Sequence, residues 1–384
     1  MPNIIALIDC DCFFVSCERI ENPDLHGKPV CVVTGENGCI VSRSKEAKNM
    51  GVKMGQPLFM AKKEYPNAIY INTHHSKYEM YSAKVMECLR TFTPDVEVCS
   101  IDEAYINLSG LEKLYKKNTE EIAKDIRKNI WEKCKIPVSI GIGTSKTLAK
   151  LASDKAKSGT GVFCIKTENL PEILTTTPLD EVCGFGKQNT AKMQMLGVFN
   201  CAEFTQNTDT WVRKNLGIKG LDLKYELLGY MVHKVSSVEE KPKSIQDTSA
   251  LTKFTSDEAI LRASLKYHVH CASRKLREEE CFCKNVGVLL RTKDFIVSNE
   301  NIKLNTPTNG EKEIFEAVLK AFKRIYNPNI LYRSTGVILD NLLGKDEYQP
   351  SLFNMPEYND DKISRAIDEC EKKFGKNIIK SGLF

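Results

Sequence analysis

The chain has 384 residues, is 42% hydrophobic and 27% charged, and carries a formal net charge of +5. That length exceeds one ordinary hydrophobic core and predicts roughly two to four domains. No apolar run approaches the ~20 residues of a membrane span, and the N-terminal apolar stretch lacks the basic flank of a secretory signal, so a cytosolic protein is expected.

The mild positive charge permits a nucleic-acid partner without demanding one. Basic residues cluster at KAKSG (155–159), RKLRE (274–278) and KAFKR (320–324), each of which alone reads as a solvated helix face. The 15 cysteines include no C-x-x-C pair. Most of them are therefore expected as reduced thiols packed like small hydrophobes.

Ile4–Ile8 reads as a short buried strand running into Asp9-Cys10-Asp11-Cys12, with a helix over Phe13–Ile20. Turn-rich NPDLHGKP follows, then strands at Val30–Val33 and Cys39–Val41, a short helix over Lys45–Met50 and a further segment opened by Gly55-Gln56-Pro57. Helical spacing recurs over His75–Phe92, where Tyr78, Tyr81, Val85 and Leu89 share a face. VEVCSIDEAYINLSG (96–110) alternates as a hairpin strand with an acidic pair in its middle. An amphipathic helix over Thr119–Cys134, a strand over Pro137–Ile142 and a helix over Ser145–Lys157 complete the first part. With 21–74 set aside as an inserted subdomain, the order is β-α-β-β-α-β, the ferredoxin-like arrangement.

Leu170–Val232 reads as mostly helical, and the polar HKVSSVEEKPK (233–243) as a linker. The β-α-β-β-α-β order then recurs: strand-like Ser244–Leu251, a capping box Thr255-Ser-Asp-Glu258 opening a helix to about Arg277, strands at Cys281–Arg291 and Ile302–Asn305, helix Glu311–Tyr326 and strand Tyr332–Leu342. A polar tail holds QPSLF (349–353) and a last helix, Asp361–Phe374.

Asp9 ends the first strand, and Asp102 with Glu103 interrupts the apolar hairpin strand. In a ferredoxin-like sheet these strands are neighbours, so the three carboxylates are expected at one place. Clustered carboxylates repel unless a divalent cation neutralises them. Oxygen donors favour Mg²⁺ or Mn²⁺, and two such ions about 4 Å apart serve phosphoryl transfer. Asp9 taken alone reads better as a solvated turn former. The pair within IDEAY does not, because carboxylates buried in a strand need a compensating partner.

DxDxFF at 9–14, SIDEAY at 100–105 and SIGIGTSKTLAKLASDKAK at 139–157 together resemble the Y-family, the translesion DNA polymerases, over Met1 to about Leu343. SRSKEAKNMGVKMG at 42–55 and the tail look most like the bacterial UmuC branch. The resemblance implies a multidomain α+β fold: a ferredoxin-like palm (1–20 and 75–167), small fingers (21–74), a helical thumb with a helix-hairpin-helix (168–232), a linker (233–243), a βαββαβ little finger (244–343) and a tail (344–384). It implies template-directed, low-fidelity synthesis without proofreading, in DNA damage tolerance of the SOS type. Two Mg²⁺ ions, with Mn²⁺ as a substitute, would carry dNTPs onto a primer 3′-hydroxyl.

By the same resemblance Asp9, Asp102, Glu103 and the backbone carbonyl of Cys10 match the metal ligands, and Phe14 matches the steric gate that disfavours a 2′-hydroxyl. Lys48 and Lys157 fall where relatives hold the triphosphate, and Arg43 or Ser42 is expected to share the work of the family's finger Tyr, which Lys45 replaces. The finger helix departs from the family's Tyr-Glu-Ala-Arg, reading Lys45-Glu46-Ala47-Lys48, and Lys48 lacks the bidentate fork of Arg. Gly184, Gly186 and Lys187 resemble a helix-hairpin-helix that positions DNA by its phosphates, although Cys183 stands where Pro is usual. Lys284, Arg291, Lys293 and Arg333 line the second βαββαβ unit as a sequence-independent DNA face, with aromatic residues sparse. Gln349, Leu352 and Phe353 resemble the peptide that tethers bacterial polymerases to the sliding clamp. The UmuC likeness further implies a UmuD-like partner, a recombinase filament and a place in the cytoplasm at the nucleoid, away from any membrane. Two alternatives use the same residues: a non-templated palm nucleotidyltransferase, and a non-catalytic DNA-binding accessory protein with an inert acidic cluster.

Overall fold

A computed structural model describes residues 3–238, 241–347 and 358–374. The chain forms two compact units, Met1–Glu239 and Glu240–Phe384.

The first unit opens with β1 (Ile5–Cys10), buried along its whole length, which accounts for its near-continuous apolar sequence. After α1 (Phe13–Glu21) come β2 (Val30–Val33), β3 (Ile40–Arg43), α2 (Lys45–Asn49), α3 (Leu58–Glu64) and β4 (Ile69–Asn72). The three strands form a separate small sheet, ordered β3-β2-β4, over a core that includes Cys31, Val33, Ile40, Ala47, Leu58 and Ala61. All three strands fall within 21–74, the segment set aside in the sequence. The strand at Ile69–Asn72 carries no alternation that would have revealed it.

Next are α4 (His75–Arg90), β5 (Val96–Val98), β6 (Glu103–Asn107), α5 (Leu111–Tyr115), α6 (Thr119–Cys134), β7 (Val138–Gly143), α7 (Lys146–Ala156) and β8 (Val162–Cys164). Helix α6 begins at a capping box in which Asn118 and Glu121 bond each other's backbone amides. The alternating stretch 96–110 is not one strand. It breaks after Val98, and Cys99 and Ser100 both donate backbone bonds to the Glu103 carbonyl. Asp102 therefore sits on the turn, and Glu103 opens β6.

The sheet order is β5-β6-β1-β7-β8. Its first four strands have the ferredoxin-like order expected from the sequence. The fifth, β8, pairs parallel to β7 over three residues, too short to show a period. One sheet face packs on α4 and α6 through Ala6, Ile8, Ile106, Tyr78, Leu89, Ile122 and Ile126. On the other face Ile5 and Leu7 meet Ala149 of α7.

Helices α8 (Leu170–Thr176), α9 (Lys187–Met195), α10 (Cys201–Gln206) and α11 (Asp209–Leu227) follow, and Gly217 kinks the last with φ 70°. The expected linker at 233–243 is fastened at its start. Glu226, 2% exposed, accepts from the amides of Thr147, Val232 and His233, and Glu97 accepts from the Ser236 amide.

The second unit comprises β9 (Ser244–Thr255), α12 (Glu258–Glu278), β10 (Cys281–Thr292), β11 (Val297–Thr308), α13 (Glu311–Ile325), β12 (Tyr332–Gly344) and α14 (Tyr358–Phe374). The element order repeats that of the first unit, but the strand order does not: it is β11-β10-β12-β9. The last strand, not the first, lies between two neighbours. The cap of α12 is also not the expected box. Asp257 caps it, accepting from the Ala259 and Ile260 amides, while the Thr255 hydroxyl accepts from Asp257. Helix α13 turns Ile314, Phe315, Val318 and Phe322 into the core. Helix α14 is held by Arg277, whose guanidinium makes a two-pronged pair with Asp368 at 2.6 and 2.8 Å, and by Glu371, which accepts from His270 and Arg274.

Candidate active site

Asp9 lies opposite Glu103 in the β1–β6 ladder and opposite Ser139 in the β1–β7 ladder. The Cys10 amide donates to the Asp102 carbonyl at 2.9 Å, which fastens the acidic turn to the end of β1. The three carboxylates expected together thus reach one cavity of about 850 Å³. Ser42, Arg43, Lys45, Lys48, Lys157, Lys150, Asp11 and Asp154 also line it.

Lys150 of α7 and Lys157, the residue that caps its C-terminus, meet the carboxylates. Lys150 Nζ donates to Glu103 Oε2 at 2.5 Å and to Asp9 Oδ2 at 3.2 Å, and Lys157 Nζ donates to the same Asp9 oxygen at 2.9 Å. Asp102 turns instead to the Ser100 hydroxyl at 2.6 Å. Among the described residues no three His, Cys, Asp or Glu side chains form a ready ligand cluster, and the Lys150 ammonium bridges Asp9 and Glu103. Burial opposes the charge on Lys150, but its bond to Glu103 and the nearby charges of Asp9 and Glu103 outweigh this and raise its pKa. Lys157 follows the same pattern, with Asp9 overcoming burial.

Asp11 is not among these contacts. Its carboxylate accepts from Ser139 at 2.8 Å, and burial raises its pKa. The thiol of Cys10 is buried, and burial and then the charge of Asp102 hold its pKa well above the ordinary value. A thiolate there is disfavoured, and all fifteen cysteines are free.

The close seat of α7 has a local cause. A Cβ on Gly141 would lie 1.9 Å from the Ser153 amide nitrogen and 2.2 Å from the Ala149 carbonyl oxygen. Only glycine lets the helix backbone touch β7 there. Lys150 and Asp154 fall within the 139–157 stretch that carries the family resemblance, but no site role is expected of them from the sequence, although positions 150, 154 and 157 share one helix face.

On the finger side, Ser44 caps α2 by accepting from the Ala47 amide, and Arg43 donates to the Val52 carbonyl. Phe13 lines the cavity. Phe14 stacks on Tyr78 with centroids 4.3 Å apart and planes at 14°. Tyr78 in turn donates to buried Glu18 at 2.7 Å.

Gly184 adopts φ 107° and Gly186 caps α9, with Lys187 as the first helical residue and no side chain capping the helix amides. In the second unit, β10 is irregular between Cys283 and Asn285. Such a shift reverses side-chain parity and keeps Lys284 on the same outward face as Arg291. The two stand about 23 Å apart along the strand at ~3.3 Å per residue. Arg333 packs over Phe295 at 4.5 Å and over Phe254 at 5.9 Å, an aromatic setting where the sequence suggests few aromatic residues. Gln349, Leu352 and Phe353 lie outside the described residues.

The chain matches two family models: the impB/mucB/samB family over residues 8–154 and that family's C-terminal domain over 242–352. It is 30% identical to Protein ImpB of Salmonella typhimurium, with 98% of this chain and 92% of the relative covered. The chain belongs to the impB/mucB/samB family of Y-family polymerases. Protein UmuC of Salmonella typhimurium is 27% identical, with 98% of this chain and 92% of that protein covered. DNA polymerase IV of Bacillus velezensis is 29% identical, with coverage of 99% and 92%. Among solved structures, a Y-family DNA polymerase chimera aligns at TM-score 0.77 and 25% identity, covering 89% of this chain and all of that one. An insertion ternary complex of Dbh DNA polymerase aligns at 0.60 and 26% over the same shares. The family's mixed α+β fold is therefore this chain's fold, and divalent ions serve Y-family polymerases generally. No helix among the described residues is long and apolar enough to cross a membrane.

Proposed function

We propose that this chain is a template-directed DNA polymerase of translesion synthesis. The observation that carries the reading is one cavity in which Asp9, Asp102 and Glu103 share space with Arg43, Lys45, Lys48 and Lys157. Acids on the palm strands suit cations bound to phosphate, and finger cations suit the phosphates themselves. Relatives titled DNA polymerase IV, and a neighbour titled as a ternary complex of a DNA polymerase, support primer-template DNA and dNTP as substrates.

The domains follow the family's plan: palm at 1–20 and 75–167, fingers at 21–74, thumb at 168–232, little finger at 244–343 and tail at 344–384. Asp9, Asp102, Glu103 and the Cys10 carbonyl form a hard-oxygen donor set that fits two Mg²⁺ ions, with Mn²⁺ as a substitute. The buried thiol of Cys10 offers no competing soft ligand. Bound there, such ions would ease deprotonation of the primer 3′-hydroxyl and neutralise the leaving pyrophosphate.

The chain's own groups do the rest. Ser42, Arg43, Lys48 and Lys157 hold and orient the triphosphate. Phe14, braced flat against Tyr78, meets the sugar and disfavours a 2′-hydroxyl. Gly184, Gly186 and Lys187 grip a DNA phosphate at the start of α9, and Lys284, Arg291, Lys293 and Arg333 track the duplex backbone. Gln349, Leu352 and Phe353 tether the enzyme to the sliding clamp. A UmuD-like protein and a recombinase filament are proposed from the likeness to UmuC alone, as is a place in the cytoplasm at the nucleoid.

Primer extension past an abasic site with Mg²⁺ tests the reading. Templated extension by the wild-type chain that Asp102→Asn abolishes supports it. Extension that ignores the template, or that survives the substitution, overturns it.

A further inference from the structure

The fold brings one cation, Lys150, to the heart of the acidic site that the phosphate-binding role does not explain. Lys150 Nζ contacts Glu103 and Asp9 at once, at 2.5 and 3.2 Å. Its side chain is 22% exposed, and Asp9's is 11%. The helix that carries it sits close on the sheet, because α7 lies against β7 at Gly141 and Gly143 with no room for a Cβ between them. Ser145 pins the start of α7 by donating to the Glu226 carbonyl at 2.6 Å.

We infer that Lys150 is an internal counter-ion that competes with divalent cations for Asp9 and Glu103 and so sets their affinity. This rests on the reading of those carboxylates as metal ligands. The ammonium and a divalent ion claim the same two oxygens. An ion bound to both would stand within a few ångström of a positive charge in a partly buried site, where repulsion is poorly screened. The ion must therefore first displace Lys150. Lys157 differs, for it contacts Asp9 but not Glu103 and has Asp154 at 3.1 Å as an alternative partner. Lys150 is a positioning residue: it holds two like-charged carboxylates in register while they await an ion, and it keeps divalent affinity weak.

The probe is Mn²⁺ binding to the full-length chain by electron paramagnetic resonance, without DNA or nucleotide. Lys150→Met keeps the stem and removes the charge. It should tighten the Mn²⁺ dissociation constant at least about tenfold, lower the melting temperature without Mn²⁺ and enlarge the rise that Mn²⁺ produces. Lys150→Arg should keep the weak affinity. Equal or weaker binding by Lys150→Met overturns the inference. In the native chain, saturating Mn²⁺ should speed acetylation of Lys150, read by peptide mass spectrometry; an unchanged rate overturns the inference even if the Met variant fails to fold. The underlying reading fails differently, when Asp9→Asn and Glu103→Gln leave Mn²⁺ binding as in wild type.

Discussion

The roles proposed for Lys157 and Phe14 make different demands on the substrate, so substitution should separate them. Lys157→Ala removes one charge-assisted hydrogen bond, worth ~1.5–3 kcal/mol. It should raise the KM for dNTP roughly ten- to a hundredfold in steady-state primer extension, with a smaller change in kcat. Phe14→Ala should instead raise ribonucleotide incorporation relative to deoxynucleotide at least about tenfold, the scale of one steric clash in a pocket. Unchanged sugar selection would end the gate assignment. Asp102 and Glu103 are legible in the sequence because an acidic pair within an apolar run demands an explanation, and Asp9 is legible only with them, through the expected pairing of neighbouring strands. Lys150 is not, because a lysine on an amphipathic helix reads as solvated until the helix is seen against the sheet. The Phe14–Tyr78 stack spans more than sixty positions of sequence and leaves no local trace.

Among the elements, α7 depends most on what is missing from its neighbour. Gly141→Ala would force the helix off β7, since the new Cβ meets backbone rather than a movable side chain. Overpacking of this kind costs ~1–3 kcal/mol. The variant should show a lower melting temperature together with reduced extension, because both active-site lysines move with the helix. Helix α14 should respond to pH. Hydrogen bonding to Glu311, opposed by burial and helped by the charge of Glu311 and by Glu371, raises the His270 pKa above its ordinary value. That stabilisation is complete below the unfolded value of ~6.5 and is lost as pH rises through the folded one. Amides of α14 should therefore exchange faster at about pH 8 than at about pH 6, beyond the intrinsic base-catalysed rise, and His270→Gln should erase the difference. Helices α4, α6, α12 and α13 are legible to within about two residues, since each presents an apolar stripe, whereas α11 presents none and is broken at Gly217. Strands β4 and β8 are not, because three or four residues hold no period, and the cap of α12 is ambiguous in sequence because Thr255 and Asp257 both offer an oxygen to a nearby amide.

For the whole molecule, charge matters more than any single side chain. If Arg291, Lys293 and Arg333 each neutralise a phosphate, log affinity for duplex DNA should fall steeply with log salt. Replacing all three with Ala should flatten that slope by about one for each phosphate left without its cation, measurable by fluorescence anisotropy across salt concentrations. An unchanged slope would place the DNA elsewhere. The sequence shows the repeated β-α-β-β-α-β order but not how it is threaded, because strand neighbours in a sheet are set by long-range pairing rather than by period. The two units consequently differ in which strand completes them. In the second, β9 pairs only with β12 among the described strands, and β12 also flanks β10. A nascent chain arrested on the ribosome before Tyr332 would present β9 without a neighbour and one side of β10 bare. Open edges of this kind recruit other chains, so translation itself sets a vulnerable interval that closes only when the final strand emerges.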